Sequence, residues 1–308
     1  MKRALILGVG GMDGSYLAEI LLKNGYEVHG LVRHSSSDNL WRIRHLLRDK
    51  RYPFLTLHKG DICDGVRLAA LIDEVAPDEV YNEADQDSVG WSGKAPGYQI
   101  EVTYKAVSTI LETLRYMGGK VRFFQPVSST MFGDQSYPHT ETTPLKPQSP
   151  YACAKAAAFL LCQHYRREHW VYVSCGILYN HDSPRRGPDY LLQRIARGEP
   201  LWGDLSTIVD VGYAPEYMEA AYQSLQQSES RDYVIATGRG YRIADLQNWA
   251  KGLTGEPEPE FKQLAYPVLP YDCQARRILG FAPKHDALSV LRILLAHRGI
   301  VKPERDKS

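Results

Sequence analysis

The stretch that most constrains this chain is Gly8-Val9-Gly10-Gly11-Met12-Asp13-Gly14. It follows an apolar run, Ala4-Leu5-Ile6-Leu7, and opens a segment in which Tyr16, Leu17, Ile20 and Leu21 recur at helical spacing. A buried strand, a glycine turn and a helix in that order begin a parallel α/β sheet. The first glycine, Gly8, permits a tight turn. Gly11 lets the backbone approach a pyrophosphate with no Cβ between them, and Gly14 lets the helix pack closely on the strand. The helix N-terminus then offers unpaired N–H groups and a partial positive charge to phosphates. A glycine triplet also suits a bare strand-to-helix turn. Its place between a buried strand and an amphipathic helix is what predicts a dinucleotide site.

Strand–helix alternation continues along the chain. Strands are expected at 27–32, 54–57, 79–81, 121–124 and 171–175, with helices over 66–75, 97–116 and 151–168. Such alternation predicts a doubly wound parallel sheet of the Rossmann type, with right-handed crossovers and ligands at the carboxyl ends of the strands. The second strand ends at Arg33-His34-Ser35-Ser36-Ser37. An acid at this position would suit the adenosine ribose of NAD. An arginine with adjacent hydroxyls suits a 2′-phosphate, so NADP is expected over NAD.

After about residue 180 the pattern loosens, with an apolar strand at 233–236 and helical periodicity over 272–299, interrupted at Gly280-Phe281-Ala282-Pro283. Residues 1–180 read as the dinucleotide-binding domain and residues 181–308 as a smaller substrate lobe, interleaved with the first; Lys302 to Ser308 read as a frayed end.

Tyr151-Ala152-Cys153-Ala154-Lys155 places a tyrosine and a lysine four apart on one helix face. An ammonium beside a phenol favours the phenolate and is expected to lower its pKa toward neutrality. The tyrosine would then exchange a hydroxyl proton while hydride moves to or from a nicotinamide. Y-x-x-x-K is common by chance. Downstream of the glycine turn, and after Ser128 at a strand end, it reads as catalytic.

With 308 residues, 44% hydrophobic and 24% charged, the chain is long enough for a large core. A net charge of +1 gives no field for nucleic acid or a membrane surface. No apolar run approaches the ~20 residues of a membrane span, and the first residues read as a core strand rather than a signal peptide. The five cysteines are scattered without C-x-x-C pairs. They read as reduced thiols in the cytoplasm, with no metal site.

The chain resembles the GDP-mannose 4,6-dehydratase family of extended short-chain dehydrogenases, which use this glycine spacing. The resemblance is carried by Asp13-Gly14-Ser15-Tyr16-Leu17-Ala18-Glu19, Gly25-Tyr26-Glu27-Val28-His29-Gly30, the Arg33-to-Ser37 loop, Glu141-Thr142-Thr143-Pro144, Ser149-Pro150-Tyr151, and above all the block from Gly176 to Gly187. It covers nearly the whole chain and thins after about residue 190. The resemblance implies an NADP-bound fold, a nucleotide-sugar lobe and a homodimer or homotetramer. It maps cofactor contacts onto Gly8, Gly11, Met12, Asp13, Gly14, Arg33, Asp61, Ile62, Ala84, Gln86, Tyr98, Lys155, His181 and Arg186. Tyr151 is the catalytic tyrosine, and Asp87, Ser88 and Asn180 fall on the substrate side.

Three departures from the family pattern shape the expectation. The family's Thr-Ser-Glu appears as Ser128-Ser129-Thr130, so Thr130 stands where a glutamate would move protons at C5 and C6. A threonine hydroxyl is too weak a base for that. Glu83 and Asp85 fall where the family has small or neutral residues, and Asp87 follows them; Asp85 and Asp87 are candidates for a substitute base, or the loop is merely solvated. The family's Arg-Asp-Trp-Gly appears as Val209-Asp210-Val211-Gly212, and its later arginine is lost near Tyr266-Pro267. Arg185, Arg194 and Arg197 are candidates to compensate. The expected function is an NADP(H)-dependent enzyme on a nucleotide-linked sugar, GDP-linked by resemblance. Redox falls at sugar C4 through Tyr151, Lys155 and Ser128, with an epimerase or oxidoreductase outcome. The alternatives are a 4,6-dehydratase with a substitute acid/base, and an inactive dehydratase fold kept as a binding protein.

Overall fold

The computed structural model describes residues 1–201, 203–253, 266–267 and 273–302. Seven strands form one sheet: β1 (Arg3–Leu7), β2 (Glu27–Val32), β3 (Leu55–Lys59), β4 (Glu79–Asn82), β5 (Arg122–Ser128), β6 (Val173–Leu178), and, after three short lobe strands, β10 (Asp232–Ile235). Their spatial order is β3-β2-β1-β4-β5-β6-β10, and every pairing is parallel. Ala4, Leu5, Ile6 and Leu7 are wholly buried, because helices cover both faces of β1, so the strand reads as a continuous apolar run. Strand order reverses between β1 and β4. That switch point opens the crevice in which a doubly wound sheet binds its ligands.

The glycine turn is set by sterics. Gly8 has φ +85°, and a Cβ there would stand 2.6 Å from the Glu83 carbonyl oxygen. A Cβ on Gly14 would stand 2.4 Å from the carbonyl oxygen of Gly8. The helix Met12–Lys23 begins at Gly11 without a side-chain cap.

Strand β5 runs four residues past the expected Phe124, through Pro126 to Ser128. Pro126 pairs only with β6, and β4 ends its pairing at Phe124, so no ladder bond is lost to the missing N–H. The helix expected over 97–116 occurs in three pieces: Pro96–Gln99, a π-helical turn Ile100–Lys105, and Ala106–Tyr116. The helix that carries Tyr151 and Lys155 spans Pro150–Glu168; Ser149 caps it by accepting from the Ala152 amide at 3.1 Å, and Pro150 sits where no N–H is needed.

The apolar strand expected near 233–236 is β10, which joins the main sheet beside β6, and the helix Ala214–Leu225 packs against Met12–Lys23. The chain thus crosses into the lobe after residue 180 and returns to the sheet before leaving it again. The lobe holds β7 (Asn180–Asp182) paired with β9 (Val211–Tyr213), and β8 (Ile208–Val209) paired with β11 (Arg239–Arg242), which also pairs with β12 (Tyr266–Pro267). A second core of Leu192, Val211, Leu246, Trp249, Leu291 and Leu294 lies among its helices. The helical stretch expected over 272–299 is two helices, Gln274–Leu279 and Ala287–His297, broken at Gly280. Most of the 255–272 stretch, and 303–308, lie outside the described residues. Among the described residues no helix is long and apolar enough to cross a membrane, and no three His, Cys, Asp or Glu side chains are grouped to hold a metal.

Candidate active site

Two cavities meet at the switch point. One of about 440 Å³ is bounded by Asp13, Ser128, Thr130, Tyr151, Lys155 and Asn180. The other, of about 270 Å³, is bounded by Gly8, Arg33, Asp61, Ile62, Ala84 and Tyr98. Gly11, Glu83 and Asp85 line both, so together they form one trough across the carboxyl ends of β1 and β4.

Strand β5 delivers Ser128 and the helix Pro150–Glu168 delivers Tyr151 and Lys155 to the first cavity. Thr130 follows Ser128 in a short 3₁₀ turn, and its hydroxyl donates to Ser128 Oγ at 2.9 Å. Lys155 is buried; its Nζ donates to the Pro126 carbonyl at 2.9 Å and lies 5.7 Å from the Tyr151 ring centre. The expected lowering of the tyrosine pKa is not what the structure gives. Burial of Tyr151 pushes its phenol above the ordinary value; Lys155 and the Ser128 hydrogen bond pull it down, but Asp85 and Asp87 push it up again. The lysine charge that was to stabilise the phenolate is shared with a carboxylate: Lys155 Nζ and Asp85 Oδ2 are 2.6 Å apart.

The acidic loop is therefore not a solvated one. Asp85 faces Lys155, and its other oxygen accepts from the Gln86 amide at 2.7 Å and from the Thr103 hydroxyl. Asp87 is half-exposed and accepts from Arg186 Nη2 at 3.1 Å and from the Tyr190 hydroxyl. Glu83 Oε1 is buried with no hydrogen-bond partner. Burial, and then the charge of Asp13, push the Glu83 carboxyl up to about 8, against the pull of Lys155, so it is neutral at pH 7.

Of the residues expected at a cofactor, Gly8, Gly11, Met12, Asp13, Arg33, Asp61, Ile62, Ala84, Tyr98, Lys155, His181 and Arg186 all line the trough. His181 Nε2 meets Asp13 Oδ2 at 2.9 Å. Burial alone would raise Asp13; His181, by charge and hydrogen bond, and then Arg186 and Lys155 hold it low. Three of the expected residues line neither cavity. Gly14 lines neither cavity and serves the close approach of helix to strand. Gln86 turns away, donating to Gln99 Oε1 at 2.6 Å and to the Ser88 carbonyl at 2.9 Å. Ser88 caps the short helix Val89–Ser92 instead of facing the trough. Asn180 and Asp87, the other two substrate-side residues, do line the first cavity.

Arg42 and Tyr190 also line that cavity and were missed from sequence. Arg42 donates to the Gly10 carbonyl at 3.2 Å and to the Arg185 carbonyl at 2.6 Å. Both lie in irregular segments with no motif, and only the Ser-rich loop beside Arg42 hinted at an anion site. The candidate compensating arginines are committed within the fold: Arg185 to Glu19, and Arg194 and Arg197 to Glu199. Asp210, in the diverged lobe motif, is buried and accepts from the Thr237 amide at 3.1 Å and the Gly238 amide at 2.7 Å, so its role is to tie the lobe to the end of β10. The side chains of Tyr266 and Pro267 lie outside the described residues.

The trough fits a nicotinamide dinucleotide on its own chemistry. An uncapped helix N-terminus meets a turn whose glycines leave no room for side chains, with Arg42 and Arg186 alongside.

Comparison with known proteins agrees with this geometry. Residues 5–263 match the family model described as GDP-mannose 4,6 dehydratase. The GDP-mannose 4,6-dehydratase of Vibrio cholerae serotype O1 is 41% identical over 260 residues, which is 80% of this chain and 70% of that protein. The GDP-mannose 4,6 dehydratase 2 of Arabidopsis thaliana is 39% identical over 271 residues, 82% of this chain and 73% of that protein. Among solved structures, the UDP-glucose 4-epimerase of Thermotoga maritima with UDP-glucose superposes with a TM-score of 0.81 at 23% identity, covering 96% of this chain and 98% of its own. The dTDP-glucose 4,6-dehydratase of Bacillus anthracis in complex with NAD gives 0.81 at 18% identity, covering 97% of each chain. The two structures share the fold, and the sequence relatives and the family model settle the lineage: this chain belongs to the GDP-mannose 4,6-dehydratase family.

Proposed function

We propose that the protein is an NADP(H)-dependent enzyme that oxidises and reduces a nucleotide-linked sugar at C4, with epimerisation or ketone reduction as its outcome rather than loss of water. The substrate is a GDP-linked sugar, by kinship with the GDP-mannose 4,6-dehydratases. The observation that carries the reading is the convergence of Ser128, Tyr151 and Lys155 on one cavity, with Thr130 beside them. The two carboxylates that are candidates to replace the family's glutamate are taken, Asp85 by Lys155 and Asp87 by Arg186 and Tyr190. Elimination across C5 and C6 needs a free base at that place, and a hydroxyl already donated to Ser128 does not supply one.

Gly11, Met12 and Asp13 would hold the pyrophosphate, Arg33 a 2′-phosphate, and Lys155 the nicotinamide ribose; bound there, the dinucleotide supplies hydride transfer. Ser128 orients the sugar hydroxyl. Tyr151 gives or takes the proton at its oxygen. Tyr151 in its neutral form gives the proton in the reducing half of the reaction, and the oxidising half gains as pH rises.

The test is incubation with GDP-mannose and NADP, and with the corresponding 4-ketosugar and NADPH, followed by mass analysis. From GDP-mannose the expected product has unchanged mass, or is lighter by two hydrogens with NADPH formed; from the 4-ketosugar it is heavier by two hydrogens with NADP formed. A product lighter by one water, formed at a rate typical of such enzymes, would sink the preference.

The rival reading, a binding protein on an inactive dehydratase fold, draws on Glu83 and Asp85 within the trough. It is separated by mass spectrometry of nucleotide released on denaturation. Bound NADP or NADPH speaks for the redox site, and its absence together with no binding of added dinucleotide speaks for the scaffold.

A further inference from the structure

Asp85 is held more tightly than any ligand-facing carboxylate needs to be. One oxygen lies 2.6 Å from Lys155 Nζ, and both side chains are largely buried. The other accepts from the Gln86 amide at 2.7 Å and from Thr103, whose hydroxyl in turn accepts from Gln99 Nε2 at 2.7 Å. Gln99 and Thr103 are themselves buried, and Thr103 sits in the π-helical turn Ile100–Lys105. A wide turn in the helix thus presents a hydroxyl that aims the carboxylate at the lysine.

Lys155 has three donors. Asp85 and the Pro126 carbonyl occupy two of them. The charges around Tyr151 are Lys155 from its own helix and Asp85 and Asp87 from the loop after β4, with the Ser128 hydroxyl from β5. Asp87 is already matched by Arg186. Glu83 and Asp13 face Lys155 from the loop after β4 and from the helix Met12–Lys23. Asp85 is therefore in direct contact with the cation that, among the described residues, favours the phenolate at Tyr151.

We propose that Asp85 is a positioning residue: it clamps the Lys155 ammonium and offsets its charge at Tyr151, so that the phenolate is stabilised less than an unshared ammonium would stabilise it. The half of the reaction in which Tyr151 donates then gains over the half in which it accepts as pH falls. This direction agrees with the net upward push on the Tyr151 phenol. The consequence for turnover rests on the redox reading above; the state of the tyrosine does not.

The experiment is an ultraviolet titration of tyrosinate, each protein measured against its own Tyr151→Phe counterpart, so that one of the 20 tyrosines is isolated. Asp85→Asn keeps the shape that meets Thr103 and the Gln86 amide while removing the charge. Asp85→Ala removes both, and Asp85→Glu restores the charge. In Asp85→Asn and Asp85→Ala the Tyr151 midpoint is expected to fall by about one pH unit or more, with Asp85→Glu near the parent and Asp87→Asn shifting less. Oxidation of the sugar hydroxyl at pH 7 should rise by up to about tenfold for each unit of that fall.

An unchanged midpoint in both uncharged variants, with native circular dichroism, overturns the proposal. So does an equal shift in Asp87→Asn. A shifted midpoint supports it even where no sugar is turned over; that combination would count against the redox reading alone.

Discussion

Glu83 gives the most direct physical test of how the trough meets a dinucleotide. Its carboxyl lies where the two cavities join, with Oε1 buried and unpartnered and its pKa pushed up to about 8 by burial and then by Asp13. A neutral carboxyl there tolerates phosphates nearby; an ionised one repels them. If only the protonated form binds, the apparent Kd is the intrinsic value divided by the protonated fraction. That gives factors of about 1.1 at pH 7, about 2 at pH 8 and about 11 at pH 9.

Glu83→Gln should bind with a flat profile over the same range. Stability carries the same sign. The folded value of about 8 exceeds the 4.5 of an ordinary glutamate, so the fold binds this proton more tightly. The contribution is fully present below about pH 4.5 and lost as pH rises through about 8. At pH 7 the substitution should therefore gain up to about 3 kcal/mol, from 2.5 pH units at about 1.4 kcal/mol each. Dinucleotide binding would be followed by fluorescence or calorimetry from about pH 6.5 to 9.5 at fixed ionic strength, and stability by urea unfolding. A Kd that climbs as steeply in Glu83→Gln as in the parent, or a parent profile flat to pH 9.5, would refute the reasoning.

Other substitutions probe the rest of the trough. Tyr151→Phe should cut kcat by about 10²- to 10⁴-fold and leave dinucleotide binding intact, read by steady-state kinetics beside a binding titration. Arg33→Ala should weaken NADPH by about 10- to 100-fold, the worth of a charge-assisted contact to a 2′-phosphate, and change NADH little. Equal loss for both dinucleotides would remove the argument for NADP. Gly14→Ala puts a Cβ 2.4 Å from the Gly8 carbonyl oxygen, so the turn must shift. A loss of about 1–3 kcal/mol in stability should accompany weakened binding, and a variant as stable and as tightly binding as the parent would contradict the packing argument.

Much of the sheet was legible because it rests on local rules. The continuous apolar run at Ala4-Leu5-Ile6-Leu7, the glycine spacing after it, and the Ser149-Pro150 start of the helix Pro150–Glu168 each state their conformation within a few residues. The candidate site was legible where such elements end, since strand ends must converge at the switch point, and so Gly8, Ser128 and Tyr151 could be placed together. Where partners came from distant segments, the chain was silent. Pro126 breaks the apolar run between Phe124 and Ser128, and whether a strand continues through a proline depends on which neighbour strand runs beside it. Arg42 and Tyr190 arrive at the cavity from segments that have no period.

A dinucleotide-binding α/β sheet with a Tyr-Lys pair at its carboxyl end can be read from the residues alone, because chain connectivity and backbone sterics act over short spans. The electrical state of that pair cannot, since it follows from the folded arrangement. The sequence shows an ammonium four residues from a phenol and predicts a stabilised phenolate. The fold brings Asp85, from the loop after β4, within 2.6 Å of the same ammonium and buries the phenol. Electrostatics sums over every charge within reach in space, and desolvation depends on what covers a group. Neither is a property of neighbours along the chain.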